Sequence, residues 1–149
     1  MRRPLIAAVL IATLGSAAIA ADPGLPMTPR EAVFGAADAA PQGVAGVFRL
    51  SIKATGHQDG HVYLNSEADY RDQRNLSIDL CPVALPGLIK KFGSDPERFF
   101  LGKDIDVRGV AERVKIIFLA YGVPTEKYYY QTHVVVCSAD QITLVQPQS

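Results

Sequence analysis

Neither sign of charge is in surplus: 15 Lys and Arg stand against 15 Asp and Glu. Neutralising a run of phosphates takes a local excess of Lys and Arg, so this balance argues against a strongly electrostatic nucleic-acid binder. A local basic stripe remains compatible with it. Cysteine is scarce: Cys81 and Cys137 are the only two, and their spacing matches no zinc pattern. The short motifs of the common enzyme classes are missing as well. There is no Gly-x-Ser-x-Gly elbow, no phosphate-binding Gly loop, no HExxH and no Cys–His pair. Carboxylates are plentiful, but no pair stands in an apolar setting that would drive their pKa values apart. These absences favour a protein without enzymatic activity, bound metal or cofactor.

One long apolar run is present, and it opens the chain: "MRRPLIAAVLIATLGSAAIAADP". Arg2 and Arg3 make a short basic n-region, an apolar stretch follows, and Ala18-Ile19-Ala20 has the small-x-small form of a cleavage site. Residues 1–20 are therefore expected to be a secretory signal removed before Ala21. The length alone would suit a membrane helix. Thr13, Gly15 and Ser16 interrupt the run, however, and no basic stop-transfer cluster follows. No Cys stands at the cleavage point to take a lipid. The expected product is released into the periplasm or secreted, with no membrane span after signal removal. Processing leaves 129 of the 149 residues, enough for one domain, and losing two arginines makes the formal charge −2.

In an oxidising compartment Cys81 and Cys137 have two readings. A bridge between them would close a loop worth about 4 kcal/mol in the chain-entropy model. Two buried thiols are the alternative, and spacing alone does not decide between them.

Residues 21–42, "ADPGLPMTPREAVFGAADAAPQ", are rich in Ala, Pro and Gly and read as a flexible leader, a poor core segment. Within it Thr28-Pro29-Arg30-Glu31 has the form of a capping box with proline at the first helical position, which predicts a short helix over Pro29–Ala37. From Gly43 the period becomes two. Val44, Gly46, Phe48, Leu50 and Ile52 alternate with more polar neighbours, the mark of a long strand with one buried face. Asp59-Gly60 then predicts a tight hairpin turn, because both residue types tolerate positive φ. Val62 and Leu64 face inward from a second strand, and Leu76, Ile78 and Leu80 from a third.

A short helix is predicted between Val83 and Phe92, despite Pro86 and Gly87, and Ser94-Asp95-Pro96-Glu97 is a second helix-start signal. In the fourth strand Ile105 and Val107 face in. The later inward set reads Val110, Val114, Ile116 and Phe118, an odd-to-even switch that predicts a bulge at Gly109. "KYYYQTHVVVC" and "QITLV" close the chain, the two read as one strand bent at Ser138–Asp140.

Three strands, a helical connection and two strands is the order of a small closed five-stranded Greek-key barrel, which removes its sheet edges by closing on itself. "VYLNSEADYRDQRNLSIDL", "GKDIDVRG" and "SADQITLV" together resemble the OB-fold (oligonucleotide/oligosaccharide-binding) segments of bacterial exported proteins. The shared pieces are a "YLN…DY" hairpin, a "GK…V.G" fourth strand and a closing "QI" strand. The resemblance implies a mainly β domain over residues 43–146, with a short helix between the third and fourth strands.

Three clusters merit attention as sites. Glu67, Asp69, Arg71, Asp72 and Arg74 alternate in sign between two strands. They lack the Gly and the oxygen spacing of a calcium loop, so a solvated hairpin whose charges pair with one another is expected. "GHQDGH" holds His57, Asp59 and His61, but catalytic zinc needs three protein ligands, and the turn already explains Asp59. "YGVPTEKYYY" holds four tyrosines and Lys127. In an OB-fold the loops after strands one and four flank the ligand face, which would bring Tyr121, Lys127, Tyr128 and Tyr130 near His57 and His61. There the rings would stack sugars or bases and Lys127 would meet an anion. Strand propensity explains the same tyrosines without a ligand. Tyr129 points away from Tyr128 and Tyr130.

The expected function is thus a non-enzymatic exported binding module whose ligand is an unknown small molecule, a glycan or an envelope protein. An accessory or inhibitory protein of the envelope is the alternative. Nucleic acid enters by analogy of fold only.

Overall fold

Alternation along the chain reappears as alternation of burial. Phe48, Leu50 and Ile52, then Val62 and Leu64, then Leu76, Ile78 and Leu80 all lie in one hydrophobic core. The computed structural model describes residues 24–147, so the expected signal segment lies outside the described residues. The elements run α1 (Pro29–Asp38), β1 (Val44–Ser51), β2 (Ala54–Gln58), β3 (His61–Asn65), β4 (Leu76–Leu80), a 3₁₀ turn (Pro82–Ala84), α2 (Leu85–Phe92), α3 (Pro96–Phe100), β5 (Asp104–Ala120), β6 (Val123–Val136) and β7 (Ile142–Leu144). Among the described residues no helix is long and apolar enough to cross a membrane.

The protein is mainly β, with helices between the third and fourth apolar runs as expected. Hydrogen bonding orders the strands β1-β5-β6-β4-β3-β2, an open mixed sheet with β7 added on β5, where a closed five-stranded ring was expected. Seven strands arise from five runs because two runs are broken. The first breaks at Ile52–Lys53. The Ile52 amide donates to the Lys103 carbonyl, the Ile52 carbonyl accepts from Gly102, and the Lys53 amide turns to the Asn65 carbonyl. The last breaks at residues 137–141. β6 and β7 lie along the same edge of β5, at Ala111–Ala120 and Ile105–Val107, so they are two parts of one interrupted strand. Gln141 fills the interruption. Its carbonyl oxygen accepts from the Cys137 and Ser138 amides, and its amide nitrogen donates to the Arg108 and Val135 carbonyls.

The turn at Asp59-Gly60 forms with φ of 51° and 81°, as the dipeptide predicts. The Gly109 bulge does not form. Register runs unbroken through Gly46↔Gly109 to Val44↔Ala111, Ala111 is fully buried, and Val110 is exposed. Gly109 itself faces inward, where an added Cβ would lie 2.7 Å from Val134 Cγ1. A missing inward side chain therefore looked like a change of face. The true irregularity comes later, between Ile117 and Leu119.

α1 is not loose. Ala32 and Ala36 are fully buried in the core, and the Met27 amide and carbonyl bond to β1 at Val47 and Arg49. Alanines made the segment look like poor core material, but their small side chains let a helix approach a sheet closely. The capping box is present: the Thr28 amide donates to Glu31 Oε2 at 2.7 Å and the Glu31 amide donates to Thr28 Oγ1 at 3.3 Å. Cys81 and Cys137 stand at disulfide distance, their Cα atoms 4.9 Å apart.

Candidate functional site

Positions not facing the core must face outward, and in β3 and β4 these are His61, Tyr63, Asn65, Ser77 and Asp79. Antiparallel pairing sets Tyr63 opposite Asp79 and Asn65 opposite Ser77. The parallel pairing of β4 with β6 then places His133 opposite Ser77. A polar row thus crosses three strands, and a groove of about 540 Å³ lies over it. Tyr63, Tyr70 and Tyr129 line this groove together with His57, Gln58, Asn65, Gln131 and His133. None of its lining residues is Asp, Glu, Lys or Arg. The groove is aromatic and amide-rich.

Its floor is rigid. Asn65 Oδ1 accepts from Asn75 Nδ2 at 3.0 Å and from Ser77 Oγ at 2.9 Å, and Asn75 Oδ1 accepts from the Glu67 amide at 3.0 Å. Asn65, Ser66, Asn75 and Ser77 are all buried, and among the described residues no buried side-chain polar atom lacks a partner. A fully satisfied buried network holds one geometry, since any rearrangement would strand a polar group. Asn65 in this way ties the hairpin's two strands together.

Burial pushes the His133 pKa down, with Asp79 opposing. His133 Nε2 lies 2.7 Å from Gln131 Oε1. Burial raises the pKa of Tyr63, assisted by Asp79 and Asp59, and burial also raises that of Tyr129. Near neutral pH these groups are uncharged hydrogen-bonding partners.

The expected site residues separate into several places. His57 lines the neutral groove and its Nδ1 lies 2.8 Å from Glu97 Oε1. His61 sits at the end of the row, its Nδ1 2.6 Å from Asp79 Oδ1. The two histidines of "GHQDGH" therefore turn to different carboxylates and do not converge. Tyr128 and Tyr130 lie on the opposite face of β6 and line a second groove, of about 500 Å³, with α1. Tyr121 and Lys127 line neither groove. Tyr121 is fully exposed at the tip of the β5–β6 hairpin with φ of 51°. The tyrosine that joins His57 is Tyr129, the one whose parity set it apart.

The charges of the hairpin pair with one another and with Lys53. Arg71 pairs with Asp69 at 3.1 Å, Arg74 with Asp72 at 2.7 Å and Lys53 with Glu67 at 2.9 Å. Hydrogen bonds from Arg74 hold the Asp72 pKa down to about 2. Among the described residues no three His, Cys, Asp or Glu side chains come together as metal ligands.

Tyr63, Tyr70, Asn65, Ser77, Gln131 and His133 were not singled out from the sequence as ligand contacts. Their signal was present as the complement of the inward row. No family model matches the chain, and no curated protein matches it.

Proposed function

We propose that the protein is an exported, non-enzymatic binding module of OB-like architecture that holds a neutral, hydroxyl-rich ligand of the glycan class in the groove over β3, β4 and β6. One observation carries this reading: three tyrosines and three amide side chains converge on a groove lined by no Asp, Glu, Lys or Arg, over a hydrogen-bonded polar floor. Flat ring faces suit the apolar faces of sugar rings, and amides, with their paired donors and acceptors, suit hydroxyls. The volume falls in the range of small-ligand pockets. An OB-like barrel fits the strand order, because the end strands β1 and β2 are separated only by Ile52 and Lys53. Joined across that break they would act as one strand shared by both ends of the sheet. Export follows from the signal pattern of residues 1–20. Amino-terminal sequencing of the released protein should begin at Ala21, and an uncleaved, cell-retained chain would refute export.

Calorimetry against a panel of neutral oligosaccharides, acidic oligosaccharides and oligonucleotides tests the ligand class. Tyr63→Ala and Tyr129→Ala should each weaken a neutral glycan roughly tenfold, in keeping with about 1–3 kcal/mol per stacked ring. Lys127→Ala, outside the groove, should leave it unchanged. Full affinity in both tyrosine variants would remove this face from consideration.

A second reading, docking to another envelope protein, is supported by the β5–β6 hairpin. Beyond Ala111 and Thr132 these two strands outrun β1 and β4 and pair only with each other. The arm exposes Ile117, Phe118, Leu119, Tyr121 and Val123, a cluster of a kind that marks interaction surfaces. A pull-down from envelope extract with the intact protein and a Phe118→Ser/Leu119→Ser variant separates this reading from the first.

A further inference from the structure

The inner face of the β5–β6 arm differs in charge from the outer one. Past Ala111 the positions that continue the core-facing row are Arg113, Lys115 and Ile117 on β5, opposite Thr132, Tyr130 and Tyr128 on β6. α1 closes the far side with Arg30, Val33 and Phe34, forming the groove of about 500 Å³. Arg30, Arg74 and Arg113 line it, and no carboxylate does. Arg74 is tied to Asp72, so it adds little net charge. Arg30 and Arg113 make no salt bridge or side-chain hydrogen bond among the described residues, whereas Arg49 and Arg71 are each matched to an aspartate. Arg98 and Arg108 also lack a carboxylate partner among the described residues, but they line neither groove.

Arg30 and Arg113 in this groove, and Lys115 beside it, are held in place by rings. The Arg113 guanidinium lies 3.7 Å from the Tyr130 ring centroid, and Lys115 Nζ lies 4.1 Å from that of Tyr128. Tyr128 and Tyr130 meet edge to face at 5.6 Å, which fixes the pair. The Arg30 guanidinium rests 5.5 Å from the Phe34 centroid. A guanidinium stacked on a ring has its flat face satisfied while its N–H edge stays free to donate, the fork that matches a two-oxygen anion. Two such forks from opposite walls, with Lys115 one step along, make a groove selective for negative charge. The apolar wall of Val33 and Phe34 lies beside them.

We propose that this groove is an oxyanion site for a phosphate or carboxylate group carried on an aromatic or apolar moiety, distinct from the neutral groove on the other face of the arm. Tyr128 and Tyr130 are positioning residues here: they aim the cations, with one ring face of each covered by a cation. The site does not depend on the glycan reading, because the two grooves share only Tyr129 among their lining residues.

Titration of the purified protein with phenyl phosphate, benzoate, inorganic phosphate and phenol tests it. Phenyl phosphate and benzoate are expected to bind in the sub-millimolar range and to weaken with added salt, phenol not to bind, and inorganic phosphate to bind at least fivefold more weakly than phenyl phosphate. The ratio of phenyl phosphate to benzoate affinity tells which oxyanion is preferred, and either order supports the site. Arg113→Gln and Arg30→Gln should each cost about tenfold in affinity while the protein stays cooperatively folded, the lost cation–ring contact lowering the melting temperature by about a few degrees at most. Tyr130→Leu, which removes the ring under Arg113, should cost severalfold while keeping the charge. No binding of either aromatic oxyanion at 10 mM, or unaltered affinity in both arginine variants, would overturn the proposal. Equal binding of inorganic and phenyl phosphate would overturn the part assigned to the apolar wall.

Discussion

Single side chains set several features with consequences that can be measured. Gly109 is a glycine because Val134 occupies the space a Cβ would need. Gly109→Ala should destabilise the protein by about 1–3 kcal/mol, the usual cost of overpacking, and Val134→Ala in the same chain should relieve part of it. Denaturant melts of the two single variants and the double variant check this. His133 carries a pH dependence whose sign is fixed. Its folded pKa is lowered by burial, whereas an unfolded histidine protonates near pH 6.5. Below that value the unfolded chain binds more protons than the folded one, so stability should fall from about pH 6.5 downward and be unaffected above it. Replacing His133 with Gln, which titrates nowhere in this range, should flatten the fall between pH 7 and 5. An identical slope in the variant would show that another group carries it. At Thr28 both halves of the capping box hang on one side chain and its backbone, and Thr28→Ala should cost α1 about 1 kcal/mol.

Among the elements, the β5–β6 arm is the least supported by neighbours. A two-stranded ribbon in water is marginal alone, and this one is steadied by cation–ring contacts on one face and by Phe118 against Tyr129 on the other. Its turn places Tyr121 at φ of 51° and Gly122 at 77°. Tyrosine has no advantage in that left-handed region, whereas Asn tolerates it, so Tyr121→Asn should stabilise the protein by up to about 1 kcal/mol. A gain in stability with a simultaneous loss of partner capture in the pull-down would assign the exposed ring to docking.

The described residues are held by a core that draws on each strand-forming apolar run and on α1, and Cys81 and Cys137 stand at disulfide distance between the end of β4 and the end of β6. The pair is separated by 56 residues in sequence. Replacing both cysteines by serine should lower stability by about 2–5 kcal/mol, seen as a lower melting temperature that a reductant no longer shifts. The fold also puts two grooves of similar size on opposite faces of one hairpin, one neutral and one cationic. Strand alternation makes this possible, since Tyr129 and its neighbours Tyr128 and Tyr130 necessarily point to opposite sides.

Local chemistry was readable from the chain itself. The inward rows of β1, β3 and β4, the Asp59-Gly60 turn, the Thr28–Glu31 cap and the interrupted last strand all depend on contacts a few residues apart, where propensity and period act. Reading the bulge at Gly109 failed because a glycine carries no side chain to declare its face. The helix over Pro29–Ala37 was legible from its cap, but its place in the core was not, because alanine reveals nothing about what it packs against. Only the tertiary structure decided that β4 runs parallel to β6 with Ser77 beside His133, that α1 walls a groove of arginines, and that His57 shares a groove with Tyr129 and not with Tyr128 or Tyr130. Those outcomes rest on register between segments dozens of residues apart, and a shift of one residue there would exchange the two faces and with them both grooves.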